Sequence, residues 1–225
     1  MRVLAIGAHP DDVELGCGGT LARHVMEGDE ARILHVGYGR SPDPVATVQG
    51  ARSAATALGI KDGPVQARST TTALGVWIPL ILEDQQFDMV PLLHIVQRVE
   101  QHLAGFRPDV VYTHHIGDRN LDHRIVADAV FTACRPVPGC SVKRLLSFEV
   151  PSSTEWGSGF EPNVFVDISG EPGTRKMAAL DCYGAEIRPA PHARSMHSIV
   201  AREFWRGASA GVTAAEAFML IREVR

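Results

Sequence analysis

His9-Pro10-Asp11-Asp12 places one imidazole and two carboxylates in four consecutive residues, just after the apolar run Val3-Leu4-Ala5-Ile6-Gly7. His9 and Asp12 are three apart, so one turn of backbone can aim both at a single ion while Asp11 points elsewhere. Imidazole plus carboxylate with an open position is the make-up of a catalytic zinc or iron site rather than a closed structural one. The same residue types also cap helices, because their side chains accept the first free N–H groups of a following helix. On this segment alone both readings stand. A second cluster, His114-His115-Ile116-Gly117-Asp118-Arg119-Asn120-Leu121-Asp122-His123, carries three His, two Asp and one Asn. Two such clusters are hard to explain as capping twice over. His123 would complete a three-ligand site with His9 and Asp12. Asp11, beside a ligand without being one, is placed to take a proton from an attacking water.

These side chains meet only if the backbone brings two distant segments together. Val3–Gly7 and Pro108–Thr113 each read as a buried strand ending at one of the clusters. In open α/β sheets ligands bind beyond the carboxyl ends of the strands, so neighbouring parallel strands would deliver both loops to one edge. Ile125–Phe131 reads as an amphipathic helix with Asp122 near its N-cap. Gly16-Cys17-Gly18-Gly19-Thr20 should lead into a helix ending near Gly28, followed by a strand over Ala31–Val36 and a loop over Gly37–Pro44. Further on, the pattern predicts a helix over Ala51–Leu58 stopped by Gly59, a strand over Val76–Leu82 and an amphipathic helix over Met89–Leu103. Past residue 135 it loosens. Pro136-Val137-Pro138-Gly139 breaks it, then Leu145–Phe148 and Val164–Ile168 suit strands and Arg175–Tyr183 a helix. Alternating strands and helices imply an α/β fold with a mostly parallel sheet and a more irregular C-terminal part. Without an internal repeat or low-complexity linker, residues 1–225 read as a single domain.

A strand followed by glycines also opens dinucleotide folds, but that fingerprint needs G-x-G-x-x-G directly after the strand. Gly7 is followed by Ala8, His9 and Pro10, and Gly16-Cys17-Gly18-Gly19 has the wrong spacing. The sheet is therefore expected to be a Rossmann-like three-layer sandwich without that cofactor. A formal charge of −4 gives no support for nucleic acid or an anionic membrane as partner. The chain has no signal-like segment and no apolar run near 18 residues, which makes a cytoplasmic location the default. Cys17, Cys134, Cys140 and Cys182 form no metal-type spacing. Cys17 sits among glycines near the proposed site, where a reactive thiol and a small buried Cys are both compatible with the sequence.

The two motifs together resemble the PIG-L/LmbE-like family of metal-dependent N-deacetylases: His-Pro-Asp-Asp after the first strand, then His115-x-x-Asp118-x-Asn120-x-Asp122-His123. Pro191-His192-Ala193-Arg194-Ser195 is similar to the family's His-Pro-Arg-Ser stretch, and Arg206-Gly207 with Ala215-Glu216-Ala217-Phe218 to its ending. Ala193 stands where Pro is usual, Thr47 and Gly50 where an Arg and a Glu are common, and Asn120 where some thiol-pathway members have His. These departures bear on substrate class more than on the metal site.

The resemblance implies a hydrolase that removes an acetyl or other acyl group from an amide nitrogen of an N-acetylated sugar or sugar conjugate. It assigns Asp11 as the group that moves the proton. The metal would be Zn2+, with Fe2+ or another divalent ion as an alternative. His192 is a candidate for stabilising the tetrahedral oxyanion, set against the reading of a surface histidine beside prolines. Asp122 could orient an imidazole or cap its helix, and His115, Asp118 and Asn120 could bind substrate or only hold their loop. His24, His35, His94, His102 and His197 are assigned no role. The expected partner is a small-molecule N-acyl substrate, and self-association into a homo-oligomer is compatible with the sequence. Two rivals remain: an amidase acting on a non-sugar conjugate, such as a thiol conjugate or an acylated antibiotic precursor, and a metal- or sugar-binding module without catalysis. Retention of Asp11 argues against the second, since a pure binding site gains little from a spare carboxylate.

Overall fold

Along strand β1 (Arg2–Gly7) the side chains alternate between two apolar layers. Val3 and Ala5 pack with Leu15, Leu21, Ala54 and Leu180, whereas Leu4 and Ile6 pack with Ile95, Val99, Val126 and Val130. The pleat sets this period of two, and burial on both faces makes the strand read as an unbroken apolar run. The computed structural model describes residues 1–37, 44–61, 76–77, 86–184 and 186–225. Among them the chain continues through α1 (Asp12–Met26), β2 (Glu30–His35), α2 (Pro44–Ala57), β3 (Val76–Trp77), α3 (Leu92–Phe106), β4 (Val110–His114) and α4 (Leu121–Ala133). It ends with β5 (Arg144–Phe148), β6 (Val164–Asp167), α5 (Glu171–Asp181), α6 (Met196–Ala210) and β7 (Ala215–Glu223).

One sheet has the order β3-β2-β1-β4-β5-β7-β6. Strands β3, β2, β1, β4 and β5 run parallel, and β7 lies antiparallel between β5 and β6. Residues of α1, α2 and α5 fill the apolar layer on one face and those of α3 and α4 the layer on the other. This is the Rossmann-like three-layer sandwich that the sequence pattern implies. The chain runs outward from β1 to β2 and β3, then returns to set β4 on the other side of β1, in register from Val3↔Val110 to Ala5↔Tyr112. Such a reversal opens a crevice beyond the carboxyl ends of the two central strands. Residues 8–12 and 115–120 both leave from that edge.

Helix α1 departs from its expected start. It begins at Asp12, and Gly16 to Thr20 lie inside it. A Cβ on Gly16 would sit 2.3 Å from the Phe148 ring, and one on Gly19 2.8 Å from Ile168, so close packing explains these glycines. The helix breaks at Cys17, whose φ of −148° and ψ of 20° are not helical. Residues from the C-terminal half splice the break. Glu216 of β7 accepts the N–H groups of Gly19 (3.0 Å) and Thr20 (2.7 Å), and Lys176 Nζ of α5 donates to the Leu15 carbonyl at 2.9 Å. Lys176 also pairs with Glu216 at 2.7 Å and with Glu203 at 3.0 Å. These carboxylates hold the ammonium group well above its ordinary pKa although burial opposes the charge.

Other expectations shift at their edges. Helix α2 starts at Pro44, so residues 38–43 of the expected loop Gly37–Pro44 lie outside the described residues. Of the strand expected over Val76–Leu82, Val76–Trp77 is described and forms β3, and the rest lies outside them. The sequence reading did not foresee α6 and β7. All four residues of Ala215–Phe218 are buried, so this half of β7 carries no inward-outward alternation. Asp122 does not cap α4. Asn120 does, its side chain accepting the Asp122 N–H at 2.9 Å.

Candidate active site

Between β1 and α1 the backbone turns sharply. Asp11 adopts φ +102°, a conformation that non-glycine residues reach only at a cost of about 1–3 kcal/mol, and its side chain caps nothing. The capping reading of the first cluster is thereby set aside. Asp12, the first residue of α1, is fully buried. Its Oδ2 accepts the His9 N–H at 2.8 Å and lies 3.3 Å from His9 Nδ1. Its Oδ1 lies 3.3 Å from Nε2 of His123, which the first turn of α4 presents.

Ligand atoms of His9, Asp12 and His123 all lie within 4.8 Å of one another. Asp12 Oδ1 and His123 Nε2 are buried and neither has a well-formed hydrogen bond. A divalent cation would satisfy both, and a donor set of two imidazoles and one carboxylate suits a catalytic metal with an open position.

The far nitrogens of both imidazoles face carboxylates. His9 Nε2 lies 3.0 Å from Asp122 Oδ2, and His123 Nδ1 lies 3.3 Å from Asp118 Oδ1. Carboxylates in this position fix ring orientation and strengthen the histidine as a ligand. Asp122 also accepts the Phe87 N–H at 3.3 Å, and the Phe87 ring leans on His9. Asp118 accepts hydrogen bonds from Ser153 Oγ (3.1 Å), Thr154 Oγ1 and the Asn120 N–H (2.8 Å).

Charge follows this geometry. Burial works against ionisation of Asp12, but the imidazoles of His123 and His9 hold its carboxyl well below the ordinary value. Burial likewise opposes charge on His123, yet Asp12 and Asp118 raise it to about 9. Burial pushes Asp11 up to about 8, with Arg194 opposing the rise and Asp12 adding to it. Four acidic side chains therefore gather around the imidazoles and one guanidinium, a donor set suited to a cation.

The other candidates fall in different places. His115 Nε2 donates to the Ser158 carbonyl at 2.8 Å and its ring meets Phe160 edge-on, and Asn120 is the α4 cap, so both hold the loop. His192 is exposed, and its Nδ1 accepts the Arg194 N–H at 3.0 Å. Sequence reasoning gave no role to three residues that bear on the centre. His114 stacks on His123 at 4.0 Å and accepts the Ala8 N–H at 2.8 Å, so its Nε2 is bare. His35 Nδ1 donates to the His9 carbonyl at 3.0 Å. Burial pushes both imidazoles down to about 4, which keeps them neutral. Arg194 reaches Asp11 at 2.8 Å, and the family-like stretch Pro191–Ser195 was the available signal for it. Cys17 is buried with its thiol pushed well above the ordinary value by burial, so it is a core residue and not a reactive thiol.

Among the described residues no helix is long and apolar enough to cross a membrane. The family model PIG-L, GlcNAc-PI de-N-acetylase, matches residues 4–134, a span that holds both clusters. A relative from Escherichia coli (strain K12), the uncharacterized deacetylase YaiS, is 35% identical over 187 residues, covering 79% of this chain and 88% of the relative. The crystal structure of the conserved protein TT1542 from Thermus thermophilus matches with a TM-score of 0.77 at 26% identity, covering 99% of this chain and 95% of that one. The N,N'-diacetylchitobiose deacetylase of Pyrococcus horikoshii shares the fold, with a TM-score of 0.74 at 17% identity over 98% of this chain and 83% of its own.

Proposed function

The chain belongs to the PIG-L family of GlcNAc-PI de-N-acetylases, and from that footing we propose that it is a metal-dependent hydrolase removing an acetyl group from the amide nitrogen of an N-acetylated sugar or sugar conjugate. One observation carries the reading. Asp12 Oδ1 and His123 Nε2 face each other at 3.3 Å, buried and without a well-formed hydrogen bond, while a carboxylate stands behind each of the imidazoles of His9 and His123. His9, Asp12 and His123 would hold the ion, zinc or ferrous iron. Such an ion supplies a Lewis acid for the scissile carbonyl and lowers the pKa of an attacking water.

The chain's own side chains do the rest. Asp11 takes the proton of the attacking water and returns it to the leaving nitrogen, because an amine departs only once protonated. His192 steadies the developing oxyanion. Its Nδ1 accepts the Arg194 N–H, which puts the proton of the neutral ring on Nε2 and makes that atom the donor. Asp118 and Asp122 keep the two ligand rings in place, and His115 and Asn120 keep the loop that carries them.

Purified protein loaded with zinc or ferrous iron should release free amine from N-acetylglucosamine or its glycosides, and a chelator should stop it. Amine released from non-sugar amides alone would replace the sugar assignment with the amidase. A protein that binds the metal yet hydrolyses no amide would be a binding module.

A further inference from the structure

The proposed proton carrier is itself held by a residue outside both clusters. Arg194 Nη1 donates to Asp11 Oδ2 at 2.8 Å, and among the described residues this is the only side-chain hydrogen bond of Asp11. The guanidinium is fixed from its other edge, where Nε meets Ser152 Oγ at 3.1 Å and the Pro151 carbonyl at 3.3 Å. Its Nη2 stands 3.8 Å from Asp12 Oδ1, and Glu186 lies 4.0 Å from Nη1. The Arg194 backbone is held too, its N–H on His192 Nδ1 and its carbonyl accepting the Arg188 N–H at 3.3 Å. Asp11 in turn sits on a backbone at φ +102°, a conformation that persists only where its surroundings over-determine it.

We infer that Arg194 is a positioning residue for Asp11. By holding Oδ2 it leaves Oδ1 to exchange the proton with water and with the leaving nitrogen. A short acidic side chain next to another carboxylate has no reason to hold one rotamer, and a displacement of about 1 Å in a reacting group can cost roughly 100-fold in rate. The guanidinium fixes that direction and offsets the repulsion from Asp12. It also couples the site to the Pro151–Ser152 segment, next to Ser153 and Thr154, which hold Asp118. This inference rests on the proposed role of Asp11, so the test separates the two.

Arg194→Ala, Asp11→Asn and the double variant are compared with the parent for kcat and KM on an N-acetylglucosamine glycoside, for bound zinc per chain, and for thermal unfolding. Arg194→Ala should keep its metal and its fold and lose roughly 100-fold in kcat with KM little changed. Arg194→Lys or added guanidinium salt should restore part of that loss. The double variant should be no slower than Asp11→Asn, since Arg194 acts through Asp11. Full turnover in Arg194→Ala beside an inactive Asp11→Asn would overturn the inference and leave the role of Asp11 standing. A raised KM at unchanged kcat would also overturn it, by making Arg194 a substrate contact. An active Asp11→Asn would instead remove the role of Asp11, and the inference with it.

Discussion

Asp122 Oδ2 lies 3.0 Å from His9 Nε2, so the residue immediately before one proposed ligand, His123, steadies the other across the sheet edge. The two clusters therefore hold each other, and neither has its full geometry alone. Asp122→Asn should keep the fold, since Asn120 and not Asp122 caps α4, and should weaken zinc affinity about 10- to 100-fold. Competition with a chromophoric chelator measures this. Unchanged affinity would mean that the carboxylate behind His9 contributes nothing to metal binding.

Metal removal gives a second outcome. An ion held by the folded chain and not by the unfolded one stabilises the fold, so the loaded protein should unfold later than the stripped one. A ligand present at about 100 times its dissociation constant stabilises by about 2.7 kcal/mol. His123→Ala should abolish that zinc-dependent gain in a thermal melt. A gain of equal size in the variant would place the ion elsewhere.

How much of this was legible in the sequence follows from what each residue depends on. His9, Asp12 and His123 could be read because adjacent parallel strands bring short loops to one edge, and both strands announce themselves as apolar runs. That Asp11 and Asp12 point different ways was legible too, since three-residue spacing turns Asp12 toward His9 and leaves Asp11 to face Arg194. The resemblance set Arg194 in a motif, but its partner Asp11 was not legible, because the contact spans most of the chain and no local pattern joins the two. The start of α1 was misplaced for a related reason. Gly16 and Gly19 look like a loop, and only the ring of Phe148 and the side chain of Ile168 explain them inside a helix. Asn120 and Asp122 are both good cap residues two positions apart, and local sequence does not choose between them.

The splice at Cys17 offers a test of stability apart from the metal. Lys176 and Glu216 are buried and supply the hydrogen bonds that the broken turn of α1 has lost. Removing one partner of a buried pair costs about 3–5 kcal/mol, because the other charge is left uncompensated. Lys176→Met and Glu216→Gln should each lower stability by that order in urea unfolding. The double variant should lose less than the sum of the two. Simple additivity would show that the two act independently on the turn.

Acid should expose a further dependence, most cleanly at His102 on α3. Burial, with the charge of Arg98 adding to it, pushes this imidazole down to about 4, against an ordinary 6.5. In the folded chain it gains its proton only near pH 4, whereas in the unfolded chain it does so near 6.5. Between those values the unfolded state binds more protons, so the stability tied to His102 is whole above about pH 6.5 and drains away as pH falls toward 4. His35 and His114 are pushed down to about 4 as well and lose stability in the same window. His123, raised to about 9, has its stabilising contribution complete below 6.5 and adds no slope there. Each proton taken up on unfolding changes stability by about 1.4 kcal/mol per pH unit. His102→Gln should therefore flatten the acid limb by at most one proton, seen as a shallower fall in urea midpoint between pH 6.5 and 4 with chelator present. A variant that tracks the parent across that range would mean that His102 takes up its proton equally well in both states.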